Sequence, residues 1–389
     1  MRILEIISSV NPAGGGPIEG IRQLAAFNMA RGHHIELASL DAPDSPHLKT
    51  LAMQVHPLGP ALGGYSYSPR LVPWLRQNAA NYDAIVVNGV WQYSSFGTWR
   101  ALRGTSTPYV VFTHGMLDPW FKRQYPLKHL KKCLYWPWAE YRVLRDAQAM
   151  LFTSQEEEQL VKKSFWPFPD NGVVVGYGTA GPKGDPHAER EAFFERYREL
   201  RGKRLAVFLG RLHLKKGCDL LVQAFAQVLA QDPAWHLVMA GPDQTGWQSE
   251  LIAMAKKLKI ADRITWTGMI DGNLRWGVLR AAEIFVLPSH SENFGIVVAE
   301  ALACGVPVLI SDRINIWREV VEDGAGIVAP DTLAGTIRLL ETWAGLSPQQ
   351  QDALRSRTVE CFQKRFEVGR AATRLIEALQ QVARKQRKC

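Results

Sequence analysis

Two glutamates set the most specific pattern in the chain. They lie in Leu287-Pro-Ser-His-Ser-Glu-Asn-Phe-Gly-Ile-Val-Val-Ala-Glu-Ala301, with seven residues between Glu292 and Glu300. Glu292 follows an apolar run of strand length, in the loop leaving a strand's carboxyl end. Phe294, Gly295 and Ile296 then open a helix, where free N–H groups suit a phosphate. Glu300 falls more than a turn inside that helix, among Val298, Ala299, Ala301 and Leu302. A carboxylate there is costly unless something binds it, and a pair of ribose hydroxyls is a suitable partner. On spacing alone, a helix-dipole carboxylate followed by a solvated glutamate fits too.

A second pattern is Gly210-Arg-Leu-His-Leu-Lys-Lys-Gly217, directly after an apolar strand. Arg211 offers a planar fork and Lys216 a point charge, and both could reach a diphosphate leaving group. A solvated basic turn explains the same residues equally well. Gly14-Gly15-Gly16 precedes a helix but matches neither a Walker loop nor a full G-x-G-x-x-G pattern. A plain tight turn serves as well there. Thr113-His114-Gly115 closes another apolar strand, which puts His114 at the edge where doubly wound sheets bind ligands. A packed, hydrogen-bonded histidine is the competing reading.

The elements that must position these groups alternate between strand and helix. Ile3–Ile7 reads as a buried strand, the stretch from Asn11 to Pro17 as a glycine-rich loop, and Ile21, Leu24, Ala25 and Met29 as one helical face ended by Gly32. Strands follow at Ile35–Leu40, Ala84–Val87, Tyr109–Phe112 and Ala149–Phe152. Ser154 and Glu157 form a capping-box pattern. Val173 to Pro186 is rich in glycine and proline and reads as a linker. A second series then starts with strands at Leu205–Leu209, Trp235–Ala240, Ile264–Thr267, Glu283–Leu287 and Val308–Ser311. Two such series predict an α/β protein of two doubly wound domains with the active site in the cleft between them. The domains are placed at residues 1–180 and 181–365, with a C-terminal helix over 366–389 packing back on the first.

Composition bounds the function. The chain has 389 residues, 47% hydrophobic and 21% charged, as in a folded protein of about two domains. The net charge of +9 favours anionic partners without choosing among them. Five scattered cysteines, none in a C-x-x-C pair, argue against disulfides or a zinc site. No apolar run is long enough to span a bilayer, and Met1–Ile7 reads as a strand, not a signal peptide, so a cytoplasmic location is expected.

Taken together, these residues resemble the family-4 retaining glycosyltransferases with the GT-B fold, two Rossmann-like domains facing each other across a cleft. The likeness runs from the first strand and glycine loop through Gly32-His-His-Ile35, His114-Gly115, Thr153-Ser154, Gly210-Arg211 and Lys216-Gly217 to Glu292 and Glu300. It continues in Gly305-Val-Pro-Val308 and Glu319-Val-Val-Glu-Asp-Gly324. The resemblance implies that Arg211 and Lys216 hold the donor diphosphate, that Glu300 binds the ribose and that Glu292 contacts the transferred sugar. It implies that Phe294, Gly295 and Ile296 offer backbone amides, that Gly15 and Gly16 let the first domain approach the diphosphate, and that His114 touches the donor sugar. The nucleobase would lie near Gly241, Met269 and Ile270. Trp91 and Asp118 are assigned to the acceptor. Departures from the family's common forms at Pro17-Ile-Glu-Gly20, Gly176-Tyr-Gly-Thr179 and Arg313-Ile-Asn-Ile-Trp317 bear on substrate identity more than on reaction class.

The expected reaction moves a hexose from a UDP- or GDP-linked donor to a glycan or lipid-linked acceptor with retention, in bacterial polysaccharide assembly. No Asp-x-Asp triplet occurs, so no metal and no cofactor beyond the donor are expected. A GT-B nucleotide-sugar epimerase is one rival, since it would act on donor alone. A basic nucleic-acid binder is another, although no nucleic-acid partner is expected. A nicotinamide oxidoreductase lacks its glycine fingerprint here.

One segment points elsewhere. Between Trp120 and Trp138 there are five Lys/Arg and no acid, interleaved with aromatic residues. Helical spacing predicts Leu127, Leu130 and Leu134 toward the core and Lys128, Lys131 and Lys132 outward, a face suited to anionic lipid headgroups at the inner side of the plasma membrane. A solvated cationic helix is the alternative.

Overall fold

A computed structural model of the chain describes residues 1–12 and 16–386. Gly15, one of the two glycines assigned to the donor, lies outside the described residues, as does Cys389.

The chain forms two compact units, one of residues 1–178 with 368–389 and one of residues 179–367. The first holds seven parallel strands: β1 (Arg2–Ile7), β2 (His34–Ser39), β3 (Gln54–Pro57), β4 (Ala84–Asn88), β5 (Tyr109–Phe112), β6 (Ala149–Phe152) and β7 (Gly172–Val174). Their order is β3-β2-β1-β4-β5-β6-β7. The second unit holds β8 (Arg204–Leu209), β9 (Trp235–Ala240), β10 (Ile264–Gly268), β11 (Ile284–Leu287), β12 (Val308–Ser311) and β13 (Gly326–Ala329), in the order β10-β9-β8-β11-β12-β13. Central strands are largely apolar because helices cover both faces of a parallel sheet. β4, β5, β6, β11 and β12 are buried at every position. In each sheet the order reverses once, between β1 and β4 and between β8 and β11, and ligands of such sheets bind at the carboxyl ends beside that reversal.

The helix Val368–Gln386 returns to the first unit and packs on the helix Gly16–Met29, with Arg31 donating to Thr373 at 2.7 Å. Two local expectations are corrected. The stretch read as a linker from Val173 begins inside β7, which pairs with β6 at Leu151 and Val173. The capping box at Ser154 forms only in half. Ser154 accepts from the Glu157 N–H at 3.1 Å, but the Glu157 carboxylate turns away to the strand ends.

The basic segment is also corrected. The helix Pro126–Tyr135 has no fully buried residue, and Leu127, Leu130 and Leu134 face solvent at 78%, 59% and 69% exposure. Its opposite side meets the fold. His129 packs on Phe165 at 4.8 Å, Tyr135 hydrogen-bonds Tyr65, and the Lys132 ammonium sits 4.4 Å over the Trp91 ring. Helical spacing groups residues on one side but does not say which side docks; here the aromatic cluster of Trp91, Trp136 and Phe165 decides it. Lys128 and Lys131 are exposed as expected, while Lys132 turns inward.

Candidate active site

β8 and β11 are neighbours at the reversal of the second sheet, and the loops leaving them carry the principal charges. Lys216 from the first loop and Glu292 from the second meet in an ion pair, with side chains 14% and 22% exposed. Burial pushes the Glu292 carboxyl up, but the charges of Lys216, Lys215 and Arg211 outweigh it and hold the group below the usual carboxylate range. Glu292 is therefore an anion among cations.

Backbone contacts fix both loops. His290 N–H donates to Lys215 C=O at 2.8 Å, Glu292 N–H to Arg313 C=O at 2.9 Å, and Asn315 N–H to Glu292 C=O at 3.1 Å. Gly217 has φ +64°, and a Cβ there would lie 2.3 Å from the Pro288 carbonyl oxygen. Only glycine lets the two loops touch. Gly241 is held as closely, since a Cβ would come within 1.9 Å of the Gly210 carbonyl oxygen. Its N–H donates to Gly268 C=O at 2.9 Å, just ahead of exposed Met269 and buried Ile270. Arg211 reaches across to Gln244 at 3.3 Å.

Gly295 caps the helix Ile296–Ala303 with φ +73°, and the Phe294 ring meets Phe366 edge-on at 5.7 Å. Glu300 is 3% exposed inside that helix. The resemblance assigns it to the donor ribose and gives it no protein partner. The structure supplies Arg275, whose Nη2 lies 2.6 Å from each carboxylate oxygen. Arg275 stands on the separate helix Gly272–Ala281, and no motif marks it.

The first unit builds a different environment. His114, just past β5 with φ +48°, stacks on Phe112 at 4.3 Å. Its Nε2 lies 2.8 Å from Asn88 Oδ1 at the end of β4, and Asn88 Nδ2 donates to Glu5 of β1 at 2.6 Å. With the Asn88 amide so oriented, His114 Nε2 donates and Nδ1 keeps its lone pair. Burial holds the imidazole neutral, with its pKa down at about 3, and pushes the Glu5 carboxyl up to about 7. Glu157 accepts from Thr113 Oγ1, Gly115 N–H and the N–H and hydroxyl of Thr153, each at 2.7 Å, and so fixes the turn carrying His114. Tyr177 joins the remaining parts. Its hydroxyl donates to Gly16 C=O at 2.9 Å and its ring lies edge-on to His114 at 6.2 Å. The motifs found Gly16 and His114 but not the tyrosine between them.

The two residues assigned to the acceptor have structural partners. Trp91, at φ +73°, donates its N–H to buried Glu140 at 2.8 Å and its Nε1 to Met116 C=O at 3.0 Å. Asp118 accepts from Trp120 N–H at 2.7 Å. Among the described residues no group of three or more His, Cys, Asp or Glu is placed to hold a metal ion, and no helix is long and apolar enough to cross a membrane.

Comparison with known proteins gives the chain its place. A family of glycosyl transferases, group 1, matches residues 189–352, and a glycosyl transferase 4-like domain matches residues 15–178. A D-inositol 3-phosphate glycosyltransferase of Nocardia farcinica is 31% identical over 191 residues, 48% of this chain and 42% of that protein. A GDP-mannose:cellobiosyl-diphosphopolyprenol alpha-mannosyltransferase of Komagataeibacter xylinus is 31% identical over 159 residues, 40% of each. These matches therefore span less than half of the curated relatives' length. The solved structure of Anabaena HepE in complex with UDP and glucose superposes over 100% of both chains with a TM-score of 0.76 at 19% identity, a likeness of fold. The two matches follow in chain order, so residues 15–178 belong with the glycosyl transferase 4-like domains and residues 189–352 with the glycosyl transferases of group 1, together built as the two Rossmann-like halves of the GT-B fold.

Proposed function

We propose that the chain transfers a hexose from a UDP- or GDP-linked donor to a glycan or lipid-linked acceptor, with retention and without a metal, in bacterial polysaccharide biosynthesis. The observation that carries this reading is the Lys216–Glu292 pair at the reversal point of the second sheet. A nucleotide diphosphate placed there meets Arg211 and Lys216, while the sugar hydroxyls meet Glu292. Lys216 then exchanges one anion for another, and Glu292 exchanges an ammonium for hydroxyl donors. Glu300 takes the ribose. Gly295 and Ile296 at the helix start face the phosphate with backbone amides. The relatives favour such donors, since one is named for GDP-mannose and a diphosphopolyprenol-linked acceptor, and HepE was solved with UDP.

As the glycosidic bond breaks, negative charge grows on the departing diphosphate, and the two cations favour that state over the ground state. The acceptor hydroxyl attacks from the face the diphosphate leaves, and a diphosphate oxygen takes its proton. His114 of the first unit, neutral with Nδ1 unprotonated, can accept a hydrogen bond from a hydroxyl without adding charge. A thermal-shift screen of nucleoside diphosphates and their sugars tests the reading, because a true donor raises the melting temperature by mass action. A UDP- or GDP-sugar that stabilises the protein, and is converted only with acceptor present, supports transfer. Conversion with donor alone identifies an epimerase, and stabilisation by none of them removes the proposal.

A further inference from the structure

The helix Pro126–Tyr135 leaves its apolar side uncovered. Leu127, Leu130 and Leu134 share one face by their spacing, and Trp138 follows at 69% exposure. Soluble chains rarely display large apolar side chains so densely. The flanks are cationic, with Lys122, Arg123, Lys128 and Lys131 exposed and no acid between Trp120 and Trp138.

Beside this helix lies a cavity of 240 Å³ lined by Lys122, His129, Lys162, Lys163, Ser164 and Trp166, among others. Trp166 is 89% exposed. Ser164 is 6% exposed, yet its hydroxyl has no hydrogen-bond partner among the described residues. A buried hydroxyl left unpaired calls for a further partner, a water or a ligand oxygen. Lys162 meets Asp170 at 3.4 Å in a solvated pair with little hold on it.

We propose that this face docks the protein on an anionic phospholipid bilayer. A headgroup phosphate enters the cavity between Lys122, Lys162, Lys163 and the Ser164 hydroxyl, while Leu127, Leu130, Leu134 and the rings of Trp138 and Trp166 enter the acyl boundary. The charge selects the occupant. A neutral apolar partner would leave the cations unanswered, whereas an anionic interface answers both the leucines and the lysines. Tryptophans at the headgroup level suit the same arrangement. The inference stands independently of sugar transfer.

The test is sedimentation of the whole protein with phosphatidylcholine vesicles with and without phosphatidylglycerol. Wild type should pellet with the anionic vesicles and stay in solution with the neutral ones. Lys162→Gln with Lys163→Gln should weaken partitioning about fivefold per lysine. Leu130→Gln with Leu134→Gln should leave only binding that added salt releases. All four side chains lie outside the core, so melting temperatures should stay at the wild-type value. Donor-induced thermal shifts, which read the second unit, should also be unchanged, so failure here is separable from failure of the transferase reading. Wild type that ignores anionic vesicles, or leucine variants that bind like wild type in high salt, overturns the proposal. So does a lipid-free dimer that the leucine changes dissolve, because the face would then belong to a second copy of the chain.

Discussion

The carboxyl edges of the two sheets solve the same problem in opposite ways. In the second unit the groups are charged and paired: Lys216 with Glu292, and Arg275 with Glu300. In the first, the chain of groups reaching from His114 to Glu5 is neutral and networked. His114 is uncharged, Asn88 carries no charge, and Glu5 holds its proton to about 7. An ion pair at a crevice can exchange a partner for a ligand at small net cost, because the charge is answered before and after. A neutral buried network resists exchange, since each broken bond leaves an unpaired polar atom. The second edge is thus fitted to take up and release an anion, and the first to hold a surface of fixed donors and acceptors.

The sharpest way to break this contrast is to remove the cations. Arg211→Ala and Lys216→Ala should each lower turnover by about 100- to 1,000-fold, or about 2.7–4 kcal/mol, with a smaller effect on the Michaelis constant for donor. Steady-state kinetics read this. Arg211→Ala should keep the wild-type melting temperature, whereas Lys216→Ala strands the Glu292 carboxylate and should lower it. Near-wild-type turnover in both would return the segment to a solvated basic turn.

The first unit should answer to proton concentration instead. A carboxyl whose pKa rises on folding contributes stability that is complete below its unfolded value of 4.5 and is lost as pH climbs through about 7. Glu5→Gln keeps an oxygen for Asn88 and removes the ionisation. Chemical denaturation of wild type should lose roughly 2–3 kcal/mol across that window relative to the variant. Parallel curves would mean that Glu5 is ionised and the edges are alike.

Glu300→Gln should weaken binding of the nucleoside diphosphate by about 1.5–3 kcal/mol in calorimetry, since a charged partner of the ribose is lost. Unchanged affinity would leave Glu300 as the counter-ion of Arg275 alone. The smallest effect expected is none: chelation with EDTA should leave the rate intact. A collapse restored by manganese or magnesium would show that the cations of the second edge do not suffice.

Central strands were legible because burial on both faces leaves a continuous apolar run, as in Ala84–Val87 and Val308–Ser311. The strands that went unread are β3, β7 and β13, and all three lie at sheet edges. Each keeps partly exposed positions and so lacks such a run. Likewise the motifs exposed Lys216, Glu292 and Glu300, whose types and spacing are constrained together. Arg275, Tyr177 and Asn88 come from separate elements, and only the folded chain brings them to Glu300, Gly16 and His114. The leucine face of Pro126–Tyr135 was found but turned the wrong way, because a period of 3.6 is blind to which side a helix docks.

The return of Val368–Gln386 to the first unit has a consequence for synthesis. Residues 179–367 are contiguous and can close as soon as they have emerged, but the first unit is interrupted. Its sheet is made early, yet the helix that packs on Gly16–Met29 is the last described element to be translated. The amino-terminal half therefore waits through the whole translation of its neighbour with that face uncovered. A chain stalled or cleaved before Val368 would expose that face to chaperones and proteases.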